Sequence, residues 1–317
     1  MKSDSNWQWR RGCAQAEEFL HSPAGQEDDE FWYMSSSGNG PFREVVVFID
    51  GVLVGAVWPY PVIFTGGFDP YYWQPVVGIG AFDLPSYEIE VTPFLGKLLD
   101  GKEHTFRFGV TNAMNVWYVD ANLHLWLDEK SSSVRGQLIG HEEPKLELSF
   151  GPNPDRSFHT SANRTISSSG WVESSHGKLI TNTSQVFKYD NLKTNYGDVQ
   201  QTITTNSEVI LAAATGIVLS SKVDVVFPFY LDSSYSNIAH AFNKNVSVVS
   251  PNGSFFSSLN NTQNIEESMQ QIYNYIEESM QQIYNYQSTD GCFSCKVNVS
   301  NSEIVSNSTD TSCSKTY

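Results

Sequence analysis

Positive charge is scarce in this chain. Lys and Arg number 19 against 35 Asp and Glu, a formal net charge of −16. Nucleic-acid binding needs a basic footprint, so the balance argues against it. It is compatible with an acidic compartment, where carboxylates keep a protein soluble. Long apolar runs are missing too. Nothing reaches the ~18 residues of a spanning helix, so no membrane span is expected. The first residues, MKSDSNWQWRRGC, hold no apolar segment of the signal-peptide kind. Cysteine is sparse: Cys13, Cys292, Cys295 and Cys313. Four cysteines in a secreted chain imply disulfides with three possible connectivities. Cys292 and Cys295 have C-x-x-C spacing. Redox use needs that motif at a helix start, and the flanking KVNVS reads as a strand. Zinc needs about four ligands, and no second close pair exists. No G-x-S-x-G nucleophile motif occurs, and thiol catalysis ranks low.

Aromatic residues, at 13%, are plentiful and favour β architecture or sugar recognition. Seven N-x-S/T sequons occur, at Asn163, Asn182, Asn245, Asn252, Asn260, Asn298 and Asn307. All lie in the second half, and their density favours a glycosylated, secreted protein. That conflicts with the missing signal peptide. The expectation is a chain of the secretory pathway, extracellular (apoplast) or vacuolar, whose N-terminal leader is not part of this sequence.

The 317 residues suit two ordinary domains or one large all-β domain. The densest stretch is Phe64–Tyr87, FTGGFDPYYWQPVVGIGAFDLPSY. Its glycines and prolines set turns, its rings supply flat contact area, and it carries Asp69 and Asp83. It reads as a ring-lined loop presenting acids to a sugar, or as a buried aromatic mini-core whose acids cap turns. Before it, Glu27-Asp28-Asp29-Glu30 runs into Phe31-Trp32-Tyr33. A charge run is usually a solvated face, but one abutting rings can line a pocket. FREVVVFID (Phe42–Asp50) is a strand apolar on both faces. Asp50-Gly51 signals a type I′ hairpin returning through VLVGAVW.

Tyr87, Ile89 and Val91 are expected to face inward, and Thr92-Pro93-Phe94 opens a short helical segment. Phe106, Phe108 and Val110 form the inner side of the next strand. Trp117–Asp128 alternates with period two. Trp117, Val119, Ala121, Leu123, Leu125 and Leu127 take one side. Tyr118, Asp120, Asn122, His124, Trp126 and Asp128 take the other, a face suited to sugar hydroxyls and ring planes, or simply a solvated one. Glu129–Glu143 is polar and reads as a linker. Further strands follow near Gln185–Tyr189, Val199–Thr205, Glu208–Ala213, Ile217–Phe227, Asn245–Val249, Cys295–Ser300 and Glu303–Ser306. Ile265–Tyr275 and Ile276–Tyr286 are the same eleven residues, IEESMQQIYNY. This duplication is expected in a surface loop, with a short helix as the alternative. The fold class is all-β: two β-sandwich or jelly-roll-like domains with short helical insertions. The divisions are an irregular segment 1–26, a first sandwich domain 27–128, a linker 129–144 and a second sandwich domain 145–317.

The segments DDEFWY, GNGPFREVVVFIDG, PVIFTGGFDPYYWQPVVGIGAFDLPSYEIEVTPFLGKLLDG, HTFRFGV, WYVDANLHLWLD, SGWVESSHGK and IEESMQQIYNY resemble the plant- and fungal-type peptide N-glycanase A (acid glycoamidase A) family. The similarity runs from about Asp28 onward. Met1–Gln26 does not share it, Met34–Asn39 looks shorter than the family's connecting segment, and the chain is shorter than a full-length member. The resemblance implies a β-sandwich amidase outside the cytoplasm. Such an enzyme cuts between the innermost N-acetylglucosamine and the asparagine nitrogen of N-glycopeptides or denatured glycoproteins, and turns that asparagine into aspartate. It implies no metal or organic cofactor.

Hydrolysing such an amide needs an activated water, a stabilised carbonyl oxygen and a protonated leaving amine. Paired carboxylates are the natural means. The candidates are Glu30 and Asp29 beside the rings, Asp120 on the polar strand face, and Asp69 and Asp83 as second choices. Glu30 or Asp29 would be the base, its pKa raised by acid–aromatic surroundings. Asp120, Asn122 and His124 would bind the amide or first sugar, with Trp32, Trp73 and Trp126 as stacking rings. Each acid reads equally as a turn cap or solvated group. The rival functions are a non-catalytic glycan-binding sandwich or inactive pseudoenzyme, and a glycoside hydrolase.

Overall fold

The structure, a computed structural model, describes residues 12–16, 29, 31–63, 78–80, 87–114, 117, 119–131, 133–234, 236–272, 275–301 and 303–312. Among these residues seventeen strands follow in chain order. The first six are β1 (Gly12–Ala16), β2 (Glu44–Ile49), β3 (Val52–Val57), β4 (Tyr87–Ile89), β5 (Phe106–Thr111) and β6 (Val119–Leu123). Then come β7 (Arg135–Glu142), β8 (Glu147–Pro152), β9 (Phe158–Ser174), β10 (Gly177–Lys193), β11 (Val199–Ala213) and β12 (Gly216–Leu231). The last five are β13 (Asn237–Ser250), β14 (Gly253–Ile272), β15 (Tyr275–Ser288), β16 (Cys292–Ser300) and β17 (Glu303–Asp310). The α-helix α1 is the single turn Leu95–Leu98, entered through a 3-10 turn at Thr92–Phe94. The all-β class therefore holds.

The strands form three sheets. Two have three strands, ordered β4-β1-β6 and β3-β2-β5. The third has eleven, and from β9 to β17 its spatial order is its chain order, a meander of successive antiparallel hairpins. Local pairing of this kind needs no long crossover. The expected Asp50-Gly51 turn is present, with φ of 50° and 81°, as a type I′ turn requires. Asp50 also accepts from Thr105 N at 2.9 Å and meets His104 Nδ1 at 2.8 Å, pinning the hairpin to β5.

The core lies between the β2–β3 hairpin with its flanking residues and one face of the meander. Inward residues of β10 and β12 alternate along their strands, as the pleat dictates. Trp58 stacks on Phe187 at 5.2 Å, and Tyr60 on Phe227 at 5.1 Å. Tyr33 meets Phe229 edge-on at 5.3 Å. Ile89 and Val91 enter a second cluster beside β2, with Tyr87 half-buried against it, as the alternation predicts, and Phe94 joins them from the 3-10 turn.

Several expectations need correction. The segment read as a linker, Glu129–Glu143, contains β7, which pairs with β9. Strand β11 is one strand where two were expected. Its polar middle resembles a turn, but Asn206 is satisfied by Asp224 on β12 at 2.5 Å. Strands β9, β14 and β15 were not anticipated, because Ser, Thr, Asn and Gln fill their outward positions. The described part of the duplicated undecapeptide is neither loop nor helix: Ile265–Ile272 ends β14, Ile276–Tyr286 lies in β15, and the two stretches are hydrogen-bonded to each other. The period-two run ends as a strand at Leu123. Beyond it, Leu123, Leu125 and Leu127 are exposed at 42%, 48% and 78% rather than buried. Among the described residues β1 pairs with β6 from Val119 to Leu123.

Candidate functional site

Two carboxylates anchor the interior, and both belong to buried forks. Asp29 lies just before a 3-10 turn, Trp32–Met34, whose Trp32 N–H bonds back to the Asp29 carbonyl at 3.2 Å. Its side chain is buried and takes Arg43 in bidentate fashion, with Nε at 2.7 Å and Nη2 on the other oxygen. Met114 N at 3.1 Å and Trp117 Nε1 at 2.6 Å complete the set. Arg43 is 1% exposed and also donates through Nη1 to the Gly40 and Phe42 carbonyls, both at 2.8 Å. Glu44, the next residue, is 0% exposed and repeats the pattern. Arg164 on β9 reaches it with Nε at 2.7 Å and Nη2 at 2.8 Å. Trp58 Nε1 at 3.0 Å and Thr111 Oγ1 at 3.2 Å fill its other sites.

Each carboxylate thus receives an arginine fork and an indole N–H. Forked charge-assisted bonds are the strongest of their kind, and a buried charge must be paired in this way. Four donors converge on the Asp29 carboxylate, three of them on Oδ2. Its geometry is that of a counter-ion that holds Arg43, and through Arg43 the Gly40–Phe42 backbone. Arg43, Glu44, Arg164, Trp58 and Trp117 were not among the sequence candidates. The available signal was Arg43-Glu44 at the head of a strand otherwise made of Val, Phe and Ile.

The other candidates are dispersed. Trp32 is 3% exposed, 6.3 Å from Trp117 between ring centroids, and its indole nitrogen has no hydrogen-bond partner among the described residues. The Arg43 guanidinium lies 5.9 Å from its ring. It is a wall of the Asp29 cluster rather than an open platform. Asn122 and His124 are exposed, and His124 lies 6.3 Å from the half-buried Trp126. No hydrogen bond or ring contact among the described residues joins Asn122 or His124 to Asp29 or Trp32. Asp120 stands on β6 opposite Gln15 of β1. Glu30, Asp69, Trp73 and Asp83 lie outside the described residues.

A cleft opens between β4 and the meander, lined by Glu88, Glu90, Glu208, Gln185, Ile89 and Ile166 among others. Gln185 bridges its floor to β3, accepting from Ala56 N at 3.2 Å and donating to Ala56 O at 3.3 Å. Glu90 accepts from Thr92 N at 3.0 Å. Among the described residues no group of three or more His, Cys, Asp or Glu side chains is arranged to hold a metal ion. Cys292 is disulfide-bonded, whereas Cys295 is a free, buried thiol. The two point to opposite faces of β16, so the C-x-x-C pair cannot close on itself. Burial raises the Cys295 pKa, which further opposes thiolate chemistry.

Comparison with known proteins gives this arrangement a context. Residues 14–144, which include Asp29, Arg43 and Glu44, match the family described as peptide N-acetyl-beta-D-glucosaminyl asparaginase amidase A. Over this segment the chain is similar to the peptide N-glycanase A family. A curated relative, peptide-N4-(N-acetyl-beta-glucosaminyl)asparagine amidase A of Prunus dulcis, is 46% identical over 230 residues. The alignment covers 66% of this chain and 40% of the relative, so the chain spans about two fifths of that protein's length. No solved structure matches. Both arginine–carboxylate forks have members inside the family segment, and Arg164 ties that segment to β9 of the meander.

Proposed function

We propose that this chain hydrolyses the amide between the innermost N-acetylglucosamine and the asparagine side chain of N-glycopeptides or denatured glycoproteins. The observation that carries this reading is the match of residues 14–144 to the amidase family. Water adds to the side-chain carbonyl, the C–N bond breaks, the glycan leaves as its glycosylamine, and asparagine becomes aspartate. A base must take the water proton, and an acid must protonate the leaving nitrogen. With Asp29 committed to Arg43, Glu30 is the better candidate base. Asp120, Asn122 and His124 are the candidates for holding the amide or first sugar, Trp73 and Trp126 for stacking on it, and Asp69 and Asp83 remain second-choice acids. The reaction would run in the secretory pathway, the apoplast or a vacuole, and would need no cofactor.

The test is a mass spectrum of a defined glycopeptide after incubation with the protein. The expected product is the sugar-free peptide with aspartate at the former glycan site. A peptide still carrying one N-acetylglucosamine would mean a glycoside hydrolase, and an unchanged peptide would sink the proposal. Glu30→Gln is expected to lower kcat by roughly 10²-fold or more with little change in stability. An unchanged rate would remove Glu30 from the mechanism.

A further inference from the structure

The eleven-stranded sheet has two edges, and they are protected unequally. At one edge lie β7 and β8. Strand β7 carries Arg135, His141 and Glu142, β8 carries Glu147 and Pro152, and α1 packs on β7 so closely that a Cβ on Gly96 would sit 2.2 Å from Gly136 O. Charge, proline and a covering helix are the usual guards against edge-to-edge pairing. At the other edge, β17 pairs with β16 alone among the described residues, and all eight of its residues are exposed. Ile304 and Val305 are 50% and 62% exposed. The strand has no Lys, Arg or Pro. An irregularity in the pairing displaces its first residues, but Ser306–Asp310 run in regular register.

That regular stretch contains the sequon Asn307-Ser308-Thr309. Asn307 is exposed, and its Oδ1 accepts a weak bond from Cys295 Sγ at 3.6 Å. Its Nδ2, the atom a glycan would use, has no hydrogen-bond partner among the described residues. The neighbouring sequon at Asn298 is different. Its Nδ2 donates to Ser306 Oγ at 2.6 Å and its Oδ1 accepts from Gln281 at 2.9 Å. Asn163, Asn182, Asn245 and Asn260 are exposed on the outward face of interior strands, and Asn252 sits in the β13–β14 turn. Of the seven sequons, Asn307 alone stands on an edge strand.

We infer that Asn307 carries an N-glycan whose role is to cap this edge and prevent a second copy of the chain from adding strand to strand. In its formation, the Asn307 amide nitrogen bonds to the anomeric carbon of an oligosaccharide supplied by a lipid-linked pyrophosphate donor. The nitrogen loses one proton and the lipid pyrophosphate leaves. A branched, hydrated oligosaccharide on an edge strand occupies the space an incoming strand needs, which is the task charged side chains and proline perform at the β7–β8 edge. The inference rests on the secretory-pathway part of the reading above and not on the amidase chemistry.

The experiment is expression of the full chain behind a secretion leader in a glycosylating host, followed by glycopeptide mapping and sedimentation. Asn307 is expected to be occupied and the protein monomeric. Asn307→Gln and Thr309→Ala both remove the sequon, and the second keeps the asparagine. Both are expected to raise the weight-average mass at least two-fold at micromolar concentration. Asn163→Gln, which removes an outer-face site, is expected to stay monomeric. An unoccupied Asn307 overturns the inference whatever the other sites carry. So do monomeric Asn307 and Thr309 variants, or self-association of the Asn163 variant to the same degree. Glycopeptide cleavage by these samples is read separately, so failure of the amidase reading leaves this result intact.

Discussion

The family-matched residues and the meander are held together by different means. Around β2 and β3, position is fixed by contacts distant in sequence: Arg164 on Glu44 across 120 residues, and Asn191 on the Tyr33 carbonyl across 158. In the meander each strand is placed by the hairpin before it. A region of the first kind depends on a few buried polar groups and fails when one is removed. A region of the second kind distributes its stability over many equivalent ladder bonds. Breaking a buried ion pair by deleting one partner is far costlier than removing an exposed hydrogen bond.

The sharpest way to break this contrast is Asp29→Asn. Arg43 would be left buried and unpaired, and a loss of about 3–5 kcal/mol is expected in denaturant unfolding. Replacing both partners with apolar residues of similar volume, as in Asp29→Leu with Arg43→Met, should recover much of it. A small effect of the single variant would mean that Asp29 is not the counter-ion described.

The next effect comes from the meander itself. His240 is buried, bonded through Nε2 to Gln263 at 2.8 Å, and burial lowers its pKa to about 4. An unfolded histidine titrates near 6.5. Between these values the unfolded chain binds the extra proton, so stability is full above about 6.5 and falls as pH drops toward 4. The loss over that window is about 3 kcal/mol. Urea midpoints from pH 7 to 4 should fall less steeply in His240→Gln, and parallel slopes would contradict the assignment.

A smaller effect is expected where the two regions touch. Gly170 on β9 lies against the Pro93 backbone, and a Cβ there would sit 2.4 Å from Pro93 O. Gly170→Ala should cost about 1–3 kcal/mol by overpacking, read as a lower thermal midpoint. Least of all, Ser268→Ala removes an exposed 2.7 Å bond to Ser279. It should change stability by about 0.5 kcal/mol.

What the sequence disclosed follows the same division. FREVVVFID and Asp50-Gly51 were legible because β-branched runs and positive-φ turn residues act locally. The inward set Tyr87, Ile89 and Val91 was legible from its alternation. The meander's polar strands were not, since Ser, Thr, Asn and Gln at outward positions are shared by strands, turns and linkers. Asp29 was visible as an acid beside rings, yet its partners stand 14 and 88 residues away at Arg43 and Trp117. No spacing rule connects them. The apolar side of Trp117–Asp128 misled for the opposite reason: the pattern was local, but β6 ends at Leu123, and Leu125 and Leu127 beyond it are exposed.

The duplicated undecapeptide has a consequence for how such a sheet can grow. Its copies pair so that Ser268 faces Ser279, the same position in each copy, while Glu266 faces Gln281, Glu267 faces Met280 and Met269 faces Glu278. The peptide is complementary to its own reverse, and in these pairs no glutamate meets a glutamate. A tandem copying error in the gene therefore yields a strand that already fits its parent. A further copy would find the same complementarity waiting, so repeat number in this stretch can change without any new sequence having to evolve.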